Sequence, residues 1–208
     1  MFIICSDLEG VFVPEVWINV SEKTGIPELR RTTRDEPDYG KLMRFRMAIL
    51  KEHGLRLRDI QDVIAMIRPL KGALEFLNWM KERVQVVIVS DTFTQFADPL
   101  MAQLNRPTLF CNELVMDDDG FIIDFKLRQP DQKRRVTEAL QSMNYSVIAF
   151  GDSYNDTSML LQADHGILFR PPENVIRDFP QLPVTMNYED MKELLVKIMF
   201  EQNVIKGI

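Results

Sequence analysis

The run Val86-Val87-Ile88-Val89 is apolar at four consecutive positions, and runs of the same kind recur at 2–6, 108–111, 146–150 and 166–169, separated by longer amphipathic stretches. A strand that is apolar on successive residues has no polar face to give to water, so both of its faces must be covered. Helical spacing of apolar residues at 72–83, 93–104, 132–143, 155–163, 173–179 and 188–203 supplies the covering elements. This β-α alternation predicts an α/β fold, a doubly wound parallel sheet whose ligands gather beyond the carboxyl ends of the strands.

Two excursions interrupt the alternation. Residues 14–69 carry helical patterns at 15–24, 39–52 and 57–67, which predicts a helical cap inserted after the first strand into a core formed by 1–13 and 70–208. Residues 113–127 alternate on either side of Asp117-Asp118-Asp119-Gly120, the pattern of a small β-hairpin. At 208 residues with 46% hydrophobic content, one core with a subsidiary lobe is the expected organisation.

Three of the predicted strands run straight into small polar or acidic clusters: Ser6-Asp7-Leu8-Glu9-Gly10, Ser90-Asp91-Thr92, and Gly151-Asp152-Ser153-Tyr154-Asn155-Asp156. In a parallel sheet these meet at one edge. Carboxylates from different strands with a backbone carbonyl between them make a hard oxygen site of the kind Mg²⁺ prefers. Each cluster also has a structural reading. Asp-x-Glu-Gly is an ordinary exit from a strand, and Ser90-Asp91-Thr92 could cap a helix starting at Phe93. The third is harder to explain so, because two Asp and an Asn crowded at a strand end repel unless a cation or backbone amides compensate.

The motifs in this order resemble those of the haloacid dehalogenase superfamily: Asp7 with Glu9 after the first strand, Ser90 after the next core strand, Lys133, then Gly151-Asp152 with Asp156. The helical cap, Glu15 soon after the first motif, Arg46 in a cap helix and a hairpin before the lysine are similar to the phosphoserine phosphatases within it. Glu9 where that family usually has Asp, and Asp91-Thr92 where it has Gly-Gly, are similar to the bifunctional branch described as phosphoserine phosphatase and homoserine phosphotransferase. The resemblance implies Asp7 as nucleophile forming an aspartyl phosphate, and Glu9 as general acid and base. It implies Mg²⁺ held by Asp7, Asp152 and the Glu9 carbonyl, with Lys133 and Ser90 on the phosphoryl oxygens. Glu15 and Arg46 would read the amino and carboxylate ends of phosphoserine, Asp91 would belong to the substrate site, Asn155 would orient substrate or nucleophile, and Asp156 would stand behind them.

Without that motif order, Lys133 in Gln132-Lys133-Arg134-Arg135 reads as an exposed lysine at a helix start, and Arg46 beside Arg44 as a solvated cap charge. Other readings stay open: a phosphatase of another small metabolite, since cap residues set selectivity, or a scaffold without activity. With 31 acidic and 25 basic residues the net charge is −6, and no Lys/Arg-rich tract offers a nucleic-acid footprint. An anionic substrate must therefore be drawn by a few cations inside the site or by a metal. The N-terminal run reaches a carboxylate at Asp7 without a basic lead, no run approaches the length of a membrane span, and Cys5 and Cys111 lie in apolar runs, so a cytoplasmic, reducing location is expected. His53, His165, Trp17 and Trp79 are expected in structural roles.

Overall fold

The computed structural model describes residues 1–33, 35–36 and 38–205, with the backbone alone for 201–205; the last three residues of the expected core segment lie outside the described set. Seven strands are found among the described residues: β1 (Phe2–Ser6), β2 (Gln85–Phe93), β3 (Thr108–Met116), β4 (Ile122–Lys126), β5 (Ser146–Gly151), β6 (His165–Phe169) and β7 (Val184–Thr185). They form one sheet in the order β4-β3-β2-β1-β5-β6-β7, parallel throughout except for the antiparallel β3–β4 pair. From β1 the chain builds outward through β2 and β3, then returns to lay β5 against the other side of β1, so the order reverses at β1/β5. That reversal opens the crevice in which doubly wound sheets bind ligands.

The period of two sorts the strand residues cleanly. Ile4, Ile88, Ile148 and Phe150 share one buried cluster with residues of α4 (Ala73–Lys81), α5 (Thr94–Gln103) and α9 (Tyr188–Ile205). Ile3, Cys5, Val87, Val89, Val147 and Ala149 share the other with α6 (Gln132–Ser142), α7 (Thr157–Gln162) and α8 (Glu173–Asp178). Both faces of the sheet are therefore paid for by helices, as consecutive apolar positions require.

Between β1 and α4 the chain forms α1 (Val16–Thr24), a 3-10 turn at Pro27–Arg30, α2 (Tyr39–Glu52) and α3 (Leu57–Ala65). Gly25, at φ 71°, ends α1, and the Asp38 carboxylate accepts from the Lys41 amide at 3.0 Å to start α2. His53 sits at the C-cap of α2, and Trp17 is buried edge-on to Phe96, the structural positions expected of them. Ile60 and Ile64 of α3 join the core cluster that contains α5. The β3–β4 hairpin turns at Gly120, φ 85°, with Asp117 accepting from the Phe121 amide at 2.8 Å. It leans on the cap: Phe125 meets Tyr39 edge-on at 6.1 Å, the Leu57 amide donates to the Gly120 carbonyl at 2.9 Å, and Arg56 lies over the Phe121 ring.

Some expectations change. β2 continues through Ser90-Asp91-Thr92 to Phe93, so this segment is strand and not the cap of α5, whose N-cap is Phe93 with no side-chain bond. Residues 108–111 and 113–116 are one strand. The stretch 155–163 opens as a 3-10 turn, Tyr154–Asp156, before α7 begins. The two-residue β7 has no run long enough to carry a periodic signal.

Candidate active site

Asp7 follows β1 directly, and its amide donates to the Phe150 carbonyl of β5 at 3.0 Å, which carries the parallel pairing one residue past the strand. The chain then turns back, with Phe12 and Val13 amides both donating to the Leu8 carbonyl. Gly10 makes this turn at φ 74°, and its Cα faces Asp152 so closely that an added Cβ would stand 2.5 Å from the Asp152 Cγ. Gly151 is constrained in the same way by Asp156, at 2.3 Å. The glycines of the first and last motifs are thus there to let carboxylates approach the backbone.

One oxygen each from Asp7, Asp152 and Asp156 lie within 4.8 Å of one another. Lys133 Nζ reaches Asp7 at 2.9 Å, Asp156 at 2.7 Å and Asp91 at 3.7 Å, with the lysine side chain only 3% exposed. The reading of Lys133 as a solvated helix-start charge is thereby removed. Burial works against the ammonium, but Asp156, Asp7 and Asp91 outweigh it and raise its pKa well above the ordinary range. Asp156, fully buried, is committed on both oxygens: Oδ1 to Lys133, Oδ2 to the amides of Asp152 and Ser153 at 3.0 Å each. That leaves Asp7 and Asp152 as the carboxylates open to a cation. Burial first, then the Asp156 charge, lifts Asp7 well above the carboxylate range and Asp152 to about 7. A cluster with more buried negative charge than one lysine balances, made of hard oxygen donors, fits a divalent cation.

A change of Gly10→Ala tests this approach. The left-handed backbone costs about 1 kcal/mol, and the new methyl must push the Asp152 carboxylate aside. If the cluster takes a divalent cation, its affinity, read by titrating Mg²⁺ against thermal stability, is expected to fall on the order of tenfold or more. Unchanged affinity would mean that Asp152 does not face the cation.

The Glu9 carboxylate accepts from the amide of Val16, the first residue of α1, at 2.8 Å. Burial, and then the nearby Glu15 charge, push it up to about 7, suited to exchanging protons near neutrality. In β2, Val89 pairs with Phe110 and Phe93 with Asn112, so Ser90-Asp91-Thr92 bulge opposite the single residue Cys111. The bulge holds Ser90 buried, with its Oγ accepting from the Thr92 amide at 3.2 Å, and turns Asp91 toward Lys133.

These groups open into a cavity of about 490 Å³ shared with the cap, lined among others by Asp7, Glu9, Glu15, Arg46, Ser90, Asp91, Lys133, Asp152 and Asn155. The candidate catalytic, substrate and metal residues of the sequence are thus brought to one cavity, and the fully buried Asp156 is not in its lining. Arg46 is buried with its guanidinium over the Trp17 ring at 4.5 Å, Nη2 donating to the Arg31 carbonyl at 2.7 Å. Its Nε is a buried donor without an acceptor, and it forms no ion pair among the described residues. Burial lowers its pKa to about 10, opposed by Tyr39, Glu9 and Glu15. The reading of Arg46 as a solvated cap charge does not hold.

Sequence reasoning missed several members of this neighbourhood. Tyr39 donates its hydroxyl to the Asp91 carbonyl at 2.7 Å, Asn112 donates there at 3.2 Å, and Gln132 bridges the Ser90 carbonyl and the Asp91 carboxylate at 2.8 and 2.9 Å. Only tertiary contact reveals them, although a Gln immediately before the lysine of the motif lies where such a bridge begins.

Residues 14–161 match the family of haloacid dehalogenase-like hydrolases. The chain is 57% identical to "Phosphoserine phosphatase ThrH" of Pseudomonas aeruginosa over 95% of its own length and 96% of that protein's. It is 55% identical to a phosphoserine phosphatase of Pseudomonas syringae pv. tomato, covering 94% of this chain and 82% of that one. The fold is shared with a solved structure described as a phospho-aspartyl intermediate analogue of phosphoserine phosphatase, with a TM-score of 0.76 over 93% of this chain and 98% of the other at 19% identity.

Proposed function

The chain belongs to the haloacid dehalogenase-like hydrolases, and from its site we propose that it hydrolyses L-phosphoserine to serine and phosphate through an aspartyl phosphate on Asp7. The observation that carries the substrate is Arg46: a buried guanidinium with an orphan Nε, in the same cavity as the nucleophile and in no ion pair among the described residues, is suited to a substrate carboxylate. Glu15, in the same cavity, offers a carboxylate for the ammonium. On this reading segment 14–69 is the cap that brings both to a core formed by 1–13 and the described residues from 70 onward.

Asp7, Asp152 and the Glu9 carbonyl are the ligands we assign to Mg²⁺, which when bound neutralises the charge between an attacking carboxylate and a phosphate dianion. An Asp7 oxygen forms a bond to phosphorus as the bond from phosphorus to the serine oxygen breaks, and Glu9 delivers its proton to that oxygen. Glu9 then takes a proton from water as the water oxygen attacks phosphorus and the Asp7 carboxylate leaves. Lys133 and Ser90 hold the nonbridging oxygens, Asn155 orients the incoming group, and Asp91 belongs to the same site. If homoserine enters in place of water, the same proton movement yields phosphohomoserine. Glu9, one methylene longer than Asp, supports that second use. Both cysteines are free, and no helix among the described residues is long and apolar enough to cross a membrane; a reducing cytoplasm suits this.

Arg46→Ala is expected to raise the KM for phosphoserine by about tenfold to a hundredfold, the loss of a charged hydrogen-bond partner, with a smaller change in kcat. Assaying both inorganic phosphate and phosphohomoserine in the presence of homoserine resolves the acceptor. A KM unmoved in Arg46→Ala, with another phosphate ester turned over faster than phosphoserine, would redirect the reading to a different small metabolite.

A further inference from the structure

Residue 91 is a crossroads. Its carbonyl accepts from the Tyr39 hydroxyl of α2 at 2.7 Å and from Asn112 of β3 at 3.2 Å. One carboxylate oxygen accepts from Gln132 of α6 at 2.9 Å; the other accepts from Asn155 at 3.3 Å and lies 3.7 Å from Lys133 Nζ. Every oxygen of this residue thus meets a different part of the site, which the bulge in β2 allows by freeing it from the ladder. We propose that Asp91 is a positioning residue of the reaction, coupling the seating of the cap to the placement of Lys133 and Asn155 around the phosphoryl group.

The geometry gives the coupling a direction. Tyr39 is the first residue of α2, and Arg46, seven residues on, lies on the same face of that helix. The Tyr39 contact therefore fixes how far Arg46 stands from the core, while the side chain of the residue that receives it orders the cations and amides on the phosphoryl side. Gln132 reinforces the link, since it also donates to the Ser90 carbonyl at 2.8 Å and accepts from Arg128 at 3.3 Å. A glycine at position 91 would keep the carbonyl and lose the carboxylate, so it could seat the cap without transmitting anything to Lys133.

The inference rests on the phosphatase reading, and a double-mutant cycle separates the two. Tyr39→Phe, Asp91→Ala and the double variant are compared in kcat and KM for phosphoserine, with melting temperature as a control. Tyr39→Phe is expected to lower kcat about fivefold, and Asp91→Ala on the order of tenfold with KM moved less than about twofold. The double variant should match Asp91→Ala in kcat, because the effect of Tyr39 on the chemistry travels through the Asp91 carboxylate. Effects on kcat that multiply, or an Asp91→Ala enzyme with wild-type kcat, would overturn the proposal. Should Asp91→Ala fail to fold, Asp91→Asn carries the same cycle. If the wild-type protein prefers another phosphate ester, the cycle is run on that ester, since only the roles of Glu15 and Arg46 then fall. A wild-type protein inactive on all phosphate esters overturns both.

Discussion

Asp7→Asn is expected to lower kcat on phosphoserine by on the order of 10⁴-fold or more, yet to leave the metal-free protein at least as heat-stable as the wild type. The first result follows from removing the oxygen that bonds to phosphorus. The second follows from charge. Asp7 is 4% exposed and faces Asp152 and Asp156, and burial with those neighbours holds its pKa well above the ordinary value. A carboxyl whose folded pKa is raised contributes stability only while protonated, and that contribution is lost as pH rises past its unfolded value of about 4 toward the folded one. The amide suffers no such loss, so the stability advantage of Asp7→Asn should widen with pH above that point. A melting temperature that falls in Asp7→Asn at neutral pH would show that the Lys133 contact at 2.9 Å outweighs the repulsion.

Lys133→Met is expected to cost both activity and fold. Its ammonium lies within 2.9 Å of Asp7 and Asp156 and is the cation that balances them. Removing one partner of a buried ion pair costs about 3–5 kcal/mol, and for a domain of this size that is a fall in melting temperature of roughly 10 °C. Phosphatase activity should drop by about 10²–10³-fold, as when a preorganised charge-stabilising donor is removed. Pairing the change with Asp156→Asn should restore part of the stability and none of the activity. If Lys133→Met alone melts with the wild type, the ion-pair cluster is not what holds α6 to the strand ends.

The strands were legible because their physics is local. Four apolar residues in succession at Val86 to Val89 leave no choice but a covered strand, and the alternation seen in the two buried clusters follows from the period of two. The cap helices were legible for the same reason, α2 to the residue. What could not be read from local pattern was where polar residues cease to be an ending. Ser90-Asp91-Thr92 has the composition of a helix cap, and only pairing with β3 shows that the strand runs on through it as a bulge. Lys133 stands in a basic run whose neighbours Arg134 and Arg135 are on the surface, so its burial was available from motif order and not from its surroundings. Tyr39 and Gln132 were invisible as site residues because their partners lie 52 and 41 positions away. Arg46 follows from the resemblance alone; its packing on Trp17 and its orphan Nε depend on contacts that no local pattern carries.

The most direct test is the release of inorganic phosphate from L-phosphoserine by the wild-type protein with and without Mg²⁺. Turnover that requires the metal is the expected result. Phosphate release that proceeds equally in excess chelator, or no release from phosphoserine at all, would contradict the assignment of Asp7 and Asp152 to a metal-assisted phosphoserine phosphatase.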